Sequence, residues 1–203
     1  MKIYKDLIQG SDEWIELRSR KLTASHATAI ASNGAGLKTY VSDIIETLIF
    51  GQSFKGSKDT ERGHLLEPIA RIKYEFETGR KVDEVGFVER CNYSGASPDG
   101  LIFGEKKGIE IKARNNKKHL ALIRGGKISS STIWQIQMSM LCTGFDRWDF
   151  VSYNKDFKKS ILIREVKRDE AKIEKLIKGL DSGILMLKEA LNDPAVKFEL
   201  NDL

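Results

Sequence analysis

Apolar positions along the first eighty residues recur at helical spacing, and from there to about residue 167 they alternate as in strands. Trp14 and Leu17 share one face of a short segment, Glu13 to Arg20, with Ser11-Asp12 placed to cap it. Leu22-Thr23-Ala24-Ser25 opens a second predicted helix to about Ser32, and a Gly-rich break, Asn33 to Gly36, precedes a third over Thr39 to Phe50. Gly51 to Asp59 reads as a Gly/Ser/Lys loop. A long helix follows to Thr78 and stops at Gly79, a good residue for the left-handed turn after a helix. Pro68 lies inside it, so the helix either starts near Leu66 or kinks there.

The middle of the chain predicts strands at Lys81 to Arg90, Asp99 to Phe103 and Gly108 to Ala113, the last two joined by the turn Gly104-Glu105-Lys106-Lys107. A short helix fits residues 116 to 124, and a longer one fits Ser131 to Thr143 with Gly144 as its stop. Two more strands, Trp148 to Tyr153 and Ser160 to Lys167, lead into a final helix from Asp169 to Leu191. Ile173, Leu176, Ile177, Leu180, Ile184, Leu187 and Leu191 form its stripe, and Pro194 reads as its end. The fold class is α/β, with a mixed central sheet flanked by helices. Without a repeat or a Pro-rich linker the expectation is one domain over 1–203: N-terminal helices about 11–50, a core about 60–167, and a C-terminal helix about 169–191.

Composition narrows the class. Apolar residues are 40% and charged residues 31% of the chain, which fits a globular protein. No apolar run approaches the ~20 residues of a membrane span, and the start, MKIYKDLIQG, carries no secretory pattern. Two isolated cysteines, Cys91 and Cys142, exclude a zinc ribbon or an iron–sulfur cluster and point to a reducing, cytoplasmic setting. The net charge of +5 says little until its distribution is considered. Between Glu110 and Asp146 run 35 residues with no Asp or Glu, while Lys112, Arg114, Lys117, Lys118, Arg124 and Lys127 all fall there. A stretch with bases only is a footprint for a polyanion, and a merely solvated face would interleave acids.

The candidate chemistry lies in Ser97-Pro98-Asp99-Gly100 and Gly108-Ile109-Glu110-Ile111-Lys112. Alternate residues of a strand share a face, so Glu110 and Lys112 point one way and Ile109 and Ile111 the other, into the core. Asp99, at the mouth of the neighbouring strand, brings a second carboxylate beside Glu110. Two converging carboxylates suit a hard dication such as Mg²⁺, with the Ile111 carbonyl a further ligand. Lys112 can then orient the attacking water or neutralise charge building on a phosphate. Alone, a PD…ExK match is as well explained by a turn aspartate and a surface Glu–Lys pair; the hairpin and the basic stretch make it a nuclease reading. Glu67, near the start of the long helix, is by composition an ordinary helix acid, and His64 an ordinary histidine.

Four segments in order, GSDEWIELRSRKLTAS, ERGHLLEPIARIKYEFETG, SPDGLI…GIEIKAR and WQIQMSMLCTG, resemble the phage lambda exonuclease family, the YqaJ-type viral recombinases. The similarity runs from about Gly10 to Tyr153. The resemblance implies a restriction-endonuclease-like core of the PD-(D/E)XK type and a 5′→3′ exonuclease on double-stranded DNA ends. It implies a ring-shaped homotrimer that works with a single-strand-annealing protein in phage recombination, in the cytoplasm of a bacterial host. Asp99, Glu110 and Lys112 fall on the family's catalytic triad and Glu67 on its helical metal ligand, which overturns the plain reading of that residue. Arg18 and Ser25 match positions that hold the 5′-terminal phosphate, and Ser97 and Gln135 match further active-site positions, with Ser139 one turn beyond Gln135. Arg18 offers a planar fork for the phosphate. The expected cofactor is Mg²⁺, two ions, with Mn²⁺ able to substitute.

The chain departs from the family where Ala113-Arg114 replaces a frequent Cys-Pro and where Trp134 replaces a small residue. Neither change removes a metal ligand. Two other readings share the core: a structure- or sequence-specific endonuclease, which would need no pocket for a free 5′ end, and a DNA-binding module that has lost catalysis.

Overall fold

The computed structural model describes residues 1–51 and 58–201. In chain order the elements are β1 (Lys2–Tyr4), α1 (Asp12–Ser19), β2 (Leu22–Thr23), a 3-10 turn (Ala24–His26), α2 (Ala27–Ser32), α3 (Ala35–Phe50), α4 (Lys58–Thr78), β3 (Phe87–Cys91), β4 (Ser94–Ala96) and β5 (Gly100–Ile102). After a second 3-10 turn (Phe103–Glu105) come β6 (Lys107–Ala113), α5 (Asn116–Ile123), α6 (Ser130–Thr143), β7 (Arg147–Tyr153), β8 (Ile161–Lys167), α7 (Glu170–Asn192) and α8 (Pro194–Asn201).

The strands form two four-stranded mixed sheets rather than one, in the orders β1-β3-β4-β2 and β5-β6-β7-β8. In the second sheet, β6 pairs antiparallel with β5 and parallel with β7, in the register Glu110↔Phe150 and Lys112↔Ser152. The expected strand over Lys81 to Arg90 is only Phe87–Cys91; before it, Val82 N–H bonds the Glu75 carboxylate and Asp83 makes a lone bridge to Leu101. Leu22 and Thr23, expected to open a helix, instead pair with Ser94 and Gly95. The third helix begins four residues earlier than expected, at Ala35. α4 continues through Pro68, and most of the stretch expected as a loop after Gly51 lies outside the described residues. Pro194 ends α7 as expected but also begins α8, the helix position where a missing N–H costs nothing.

α4 covers one face of the second sheet. Its Ala70 and Tyr74, one turn apart, pack with Val82, Ile102, Ile109, Ile111, Val151 and Tyr153. The larger core gathers the first sheet, α2, α3, α6 and α7, with Trp148 and Phe150 reaching it from the other face of β7. α7 lies against α2 so closely that a Cβ on Gly179 would sit 1.8 Å from the Ile30 carbonyl oxygen. Thus β6 is held from both sides, with its C-terminal half beside the end of β5. Among the described residues no helix is long and apolar enough to cross a membrane.

Candidate active site

β5 begins only at Gly100, and this leaves the edge of β6 open beyond Ile109. The Asp99 carboxylate takes over there: its Oδ2 accepts the Ile111 N–H at 2.5 Å. A strand residue directs its N–H and C=O to the same edge, so the Ile111 carbonyl also points toward Asp99. Extending the register two residues sets Pro98 opposite Ile111, and proline has no N–H with which to claim that carbonyl. The PD pair therefore does two things: the proline spares an acceptor and the aspartate fixes the strand edge.

Glu110 is buried on the other face from Ile109, its side chain 1% exposed, and among the described residues its carboxylate meets no polar partner besides Lys112. Lys112 Nζ stands 2.6 Å from Glu110 Oε1 as an ion pair. The two share a face as the strand alternation requires. Burial first, then Glu110 and Glu67, hold the Asp99 carboxyl well above the usual carboxylate range, against Lys112 and the Ile111 N–H. For Lys112, burial acts to push the ammonium down, but Glu110 and Asp99 outweigh it and the net shift is upward.

Glu67 reaches the same region from α4. Arg71, one turn on, donates to Glu67 Oε1 at 2.9 Å, to the Asp99 backbone carbonyl at 3.1 Å, and pairs with Glu84 at 2.5 Å. One guanidinium thus bridges the helix and the loop that carry Glu67 and Asp99. Gln9 holds that loop from the far side, donating to the carbonyls of Val85 and Pro98. Gln9, Glu67, Arg71, Glu84 and Asp99 line a cavity of about 270 Å³, outside which Glu110 and Lys112 lie. Among the described residues no three Asp, Glu, His or Cys side chains already stand in a ligating cluster. The buried Glu110 carboxylate, with Lys112 at its Oε1, beside a carboxyl raised by its neighbours is nonetheless a donor set that a hard dication satisfies.

A second cavity, of about 360 Å³, is lined by Trp14, Arg18, Ser25, His26, Tyr40 and Asp43 among others. Arg18 projects from α1, stacks over the Trp14 ring at 4.1 Å, and donates to Ser97 Oγ at 2.7 Å and Ser25 Oγ at 3.4 Å. Helix arginines commonly lay the stem on an aromatic ring and pair the head with an acid. Here the stacking occurs, but among the described residues no carboxylate pairs with Arg18. Burial pushes its pKa down to about 10, with Tyr40 opposing, so it stays charged near neutrality. The Ser97 oxygen also accepts from Trp14 Nε1 at 3.1 Å, leaving its own proton to point elsewhere.

Lys117, Lys118 and Arg124 are exposed on and just after α5, and among the described residues none has an acidic partner. Arg114 lies over the Phe150 ring at 5.9 Å, and Asn154 holds the Arg114 carbonyl, so the loop that departs from the family pattern is still pinned. Gln135 is half-buried on α6 and among the described residues makes no side-chain hydrogen bond to the carboxylates; its backbone carbonyl accepts from Ser139. Trp134 has Lys172 over its ring at 5.9 Å. The side chain of His64 lies outside the described residues. Sequence reasoning missed Arg71 and Gln9. Arg71 left a signal, four residues after Glu67 on one helix face, whereas Gln9 acts over 76 and 89 residues and left none.

The fold is the restriction-endonuclease-like α/β core of the nuclease superfamily. The chain belongs to the YqaJ-like viral recombinase family, whose model matches residues 13–146. Among solved structures it is similar to the alkaline exonuclease LHK-Exo from Laribacter hongkongensis, seen in two crystal structures, one in complex with dAMP. Each shares 31% identity and a TM-score of 0.81, over 95% of this chain and 97% of the other. A phage-related exonuclease from Haemophilus somnus 129PT shares the fold at 18% identity and a TM-score of 0.60, over 80% and 91% of the two chains. Comparison with curated protein sequences gave no match.

Proposed function

We propose that this protein is a Mg²⁺-dependent exonuclease that degrades one strand of linear double-stranded DNA from its 5′ end. The family and the likeness to an alkaline exonuclease support a DNA exonuclease. The observation offered for direction is that Ser97, two residues before Asp99, accepts from Arg18, which has no acidic partner among the described residues. A terminal phosphate monoester carries more charge than an internal diester, so a cation reserved beside the carboxylates favours an end over a midpoint.

In this reading Glu67, Asp99, Glu110 and the Ile111 carbonyl hold the metal, two ions, with Mn²⁺ able to substitute. Bound there, Mg²⁺ supplies Lewis-acid charge to the scissile phosphate and lowers the pKa of a water. Lys112, kept protonated by its carboxylate neighbours, orients the attacking water and offsets charge on the phosphoryl oxygens. Arg18, Ser25 and Ser97 seat the 5′ phosphate; Arg114, Lys117, Lys118 and Arg124 follow the backbone of the duplex. A catalytic role for Gln135 rests on the family resemblance alone. The whole chain acts as one nuclease domain. An exposed apolar stripe on α4, Leu65, Ile69, Ile72 and Phe76, supports self-association, and we assign it to the homotrimer. A single-strand-annealing partner is proposed on the family resemblance alone.

The test is to incubate the protein with linear duplexes bearing 5′ phosphate or 5′ hydroxyl, and with closed circles, in Mg²⁺ or EDTA. Fast loss of the phosphorylated linear duplex in Mg²⁺ alone supports the reading. Efficient cutting of circles would replace it with the endonuclease.

A further inference from the structure

The cavity that holds Arg18 contains a titratable group with no part in the reading above. His26 ends the 3-10 turn that also carries Ser25, and its ring stacks on Tyr40 at 3.9 Å with the planes 14° apart. Its Nδ1 lies 3.2 Å from Ser25 Oγ, the hydroxyl that also meets Thr23 Oγ1 at 3.0 Å and receives Arg18 Nη2. The stacking fixes the ring, so the contact with Ser25 is built rather than fortuitous.

A serine hydroxyl has one proton to give. When His26 is neutral with Nδ1 unprotonated, that nitrogen is an acceptor and competes for the Ser25 proton. When the imidazole is protonated, Nδ1 can only donate, and the Ser25 hydroxyl is free to donate into the cavity. Protonation therefore adds a positive charge and frees a donor in the same pocket.

We propose that His26 is a specificity-determining residue of this pocket, a proton-gated contact that strengthens capture of a terminal phosphate monoester. The proposal rests on the assignment of the pocket to a 5′ phosphate.

The surrounding charges agree. From α1, Arg18 faces His26 as a like charge; from α3, Asp43 opposes it and Tyr40 stacks on it. Lys21, in the same lining, is ion-paired to Glu89 at 2.7 Å. α2, β4 and α6, also packed on this turn, contain no charged side chain. Burial, then Arg18, holds the His26 pKa below its ordinary value, with Asp43 opposing. A phosphate dianion reverses the local sign and raises it, so seating the phosphate takes up a proton. Capture is then strongest where the imidazole can be protonated and weakens as pH rises through the raised pKa of the complex.

The test measures the ratio of kcat/KM for 5′-phosphorylated over 5′-hydroxyl duplex from about pH 6.5 to pH 9, where the phosphate stays mostly a dianion. The ratio cancels the pH dependence of hydrolysis itself. The expected result is a wild-type ratio that falls with rising pH, and a His26→Gln ratio that is flat and lower at neutral pH by on the order of tenfold, the worth of one charge-assisted hydrogen bond. Independently of any variant, the His26 imidazole resonance in metal-free protein should titrate higher with a 5′-phosphorylated oligonucleotide than with its 5′-hydroxyl twin. An unchanged ratio and profile in His26→Gln, or an imidazole indifferent to the phosphate, overturns the role of His26 while Arg18→Ala still shows whether the pocket is real. A wild type indifferent to the phosphate at every pH removes both.

Discussion

Replacing Asp99 by Asn separates the structural from the metal-binding part of the site. Asn keeps an oxygen that can accept the Ile111 N–H, so the strand edge should hold. It removes one of three mutually repelling carboxylates, since Glu110 and Glu67 both act to disfavour charge on Asp99. The metal-free variant should therefore melt no lower than wild type. With Mg²⁺ the order reverses. A ligand at one hundred times its Kd stabilises the native state by about 2.7 kcal/mol, and for a chain of this length each kcal/mol moves Tm by about 2–4 °C. Wild type should thus gain roughly 5–11 °C from Mg²⁺ at that concentration, and Asp99→Asn little or nothing. Differential scanning fluorimetry in EDTA and across a Mg²⁺ titration reads both halves. Equal Mg²⁺ shifts in the two proteins would remove Asp99 from the metal site, and a large metal-free loss would mean that it is chiefly structural.

Lys112→Ala should lower kcat by several orders of magnitude with little change in duplex affinity, and a variant that only binds more weakly would make Lys112 a phosphate contact. Glutamate at both Ile72 and Phe76 should convert a trimer to a monomer in light scattering with the helical signal intact; an unchanged mass would place the oligomer contact elsewhere. Gly179→Ala must force α7 away from the Ile30 carbonyl, costing about 1–3 kcal/mol, seen as a Tm several degrees lower; an unchanged Tm would contradict the close approach.

The β5–β6 hairpin and the shared face of Glu110 and Lys112 were legible because they depend on local alternation and a short turn. β1, β2 and β4 were not, since strands of two or three residues exist only through partners such as Leu22↔Ser94, distant in sequence. The chain near Lys81 looked like a strand, but Glu75 and Leu101 claim its backbone groups before β3 begins. Pro194 shows the opposite difficulty: one residue type stops one helix and starts the next. At the site, sequence could name Arg18 but not show that hydroxyls and an indole, rather than an acid, receive it. Nor could it show that Arg71 ties Glu67 to the Asp99 loop.

The central claim is that carboxylates at the open edge of β6 cut DNA inward from a 5′ end. A linear duplex with 5′ phosphates, labelled at the 3′ end of one strand, tests it with wild type and Asp99→Asn side by side in Mg²⁺. The account predicts that wild type shortens the labelled strand progressively while the label stays on the shrinking product, and that Asp99→Asn leaves it intact. Immediate release of the label as mononucleotide, or an Asp99→Asn variant as fast as wild type, would contradict it.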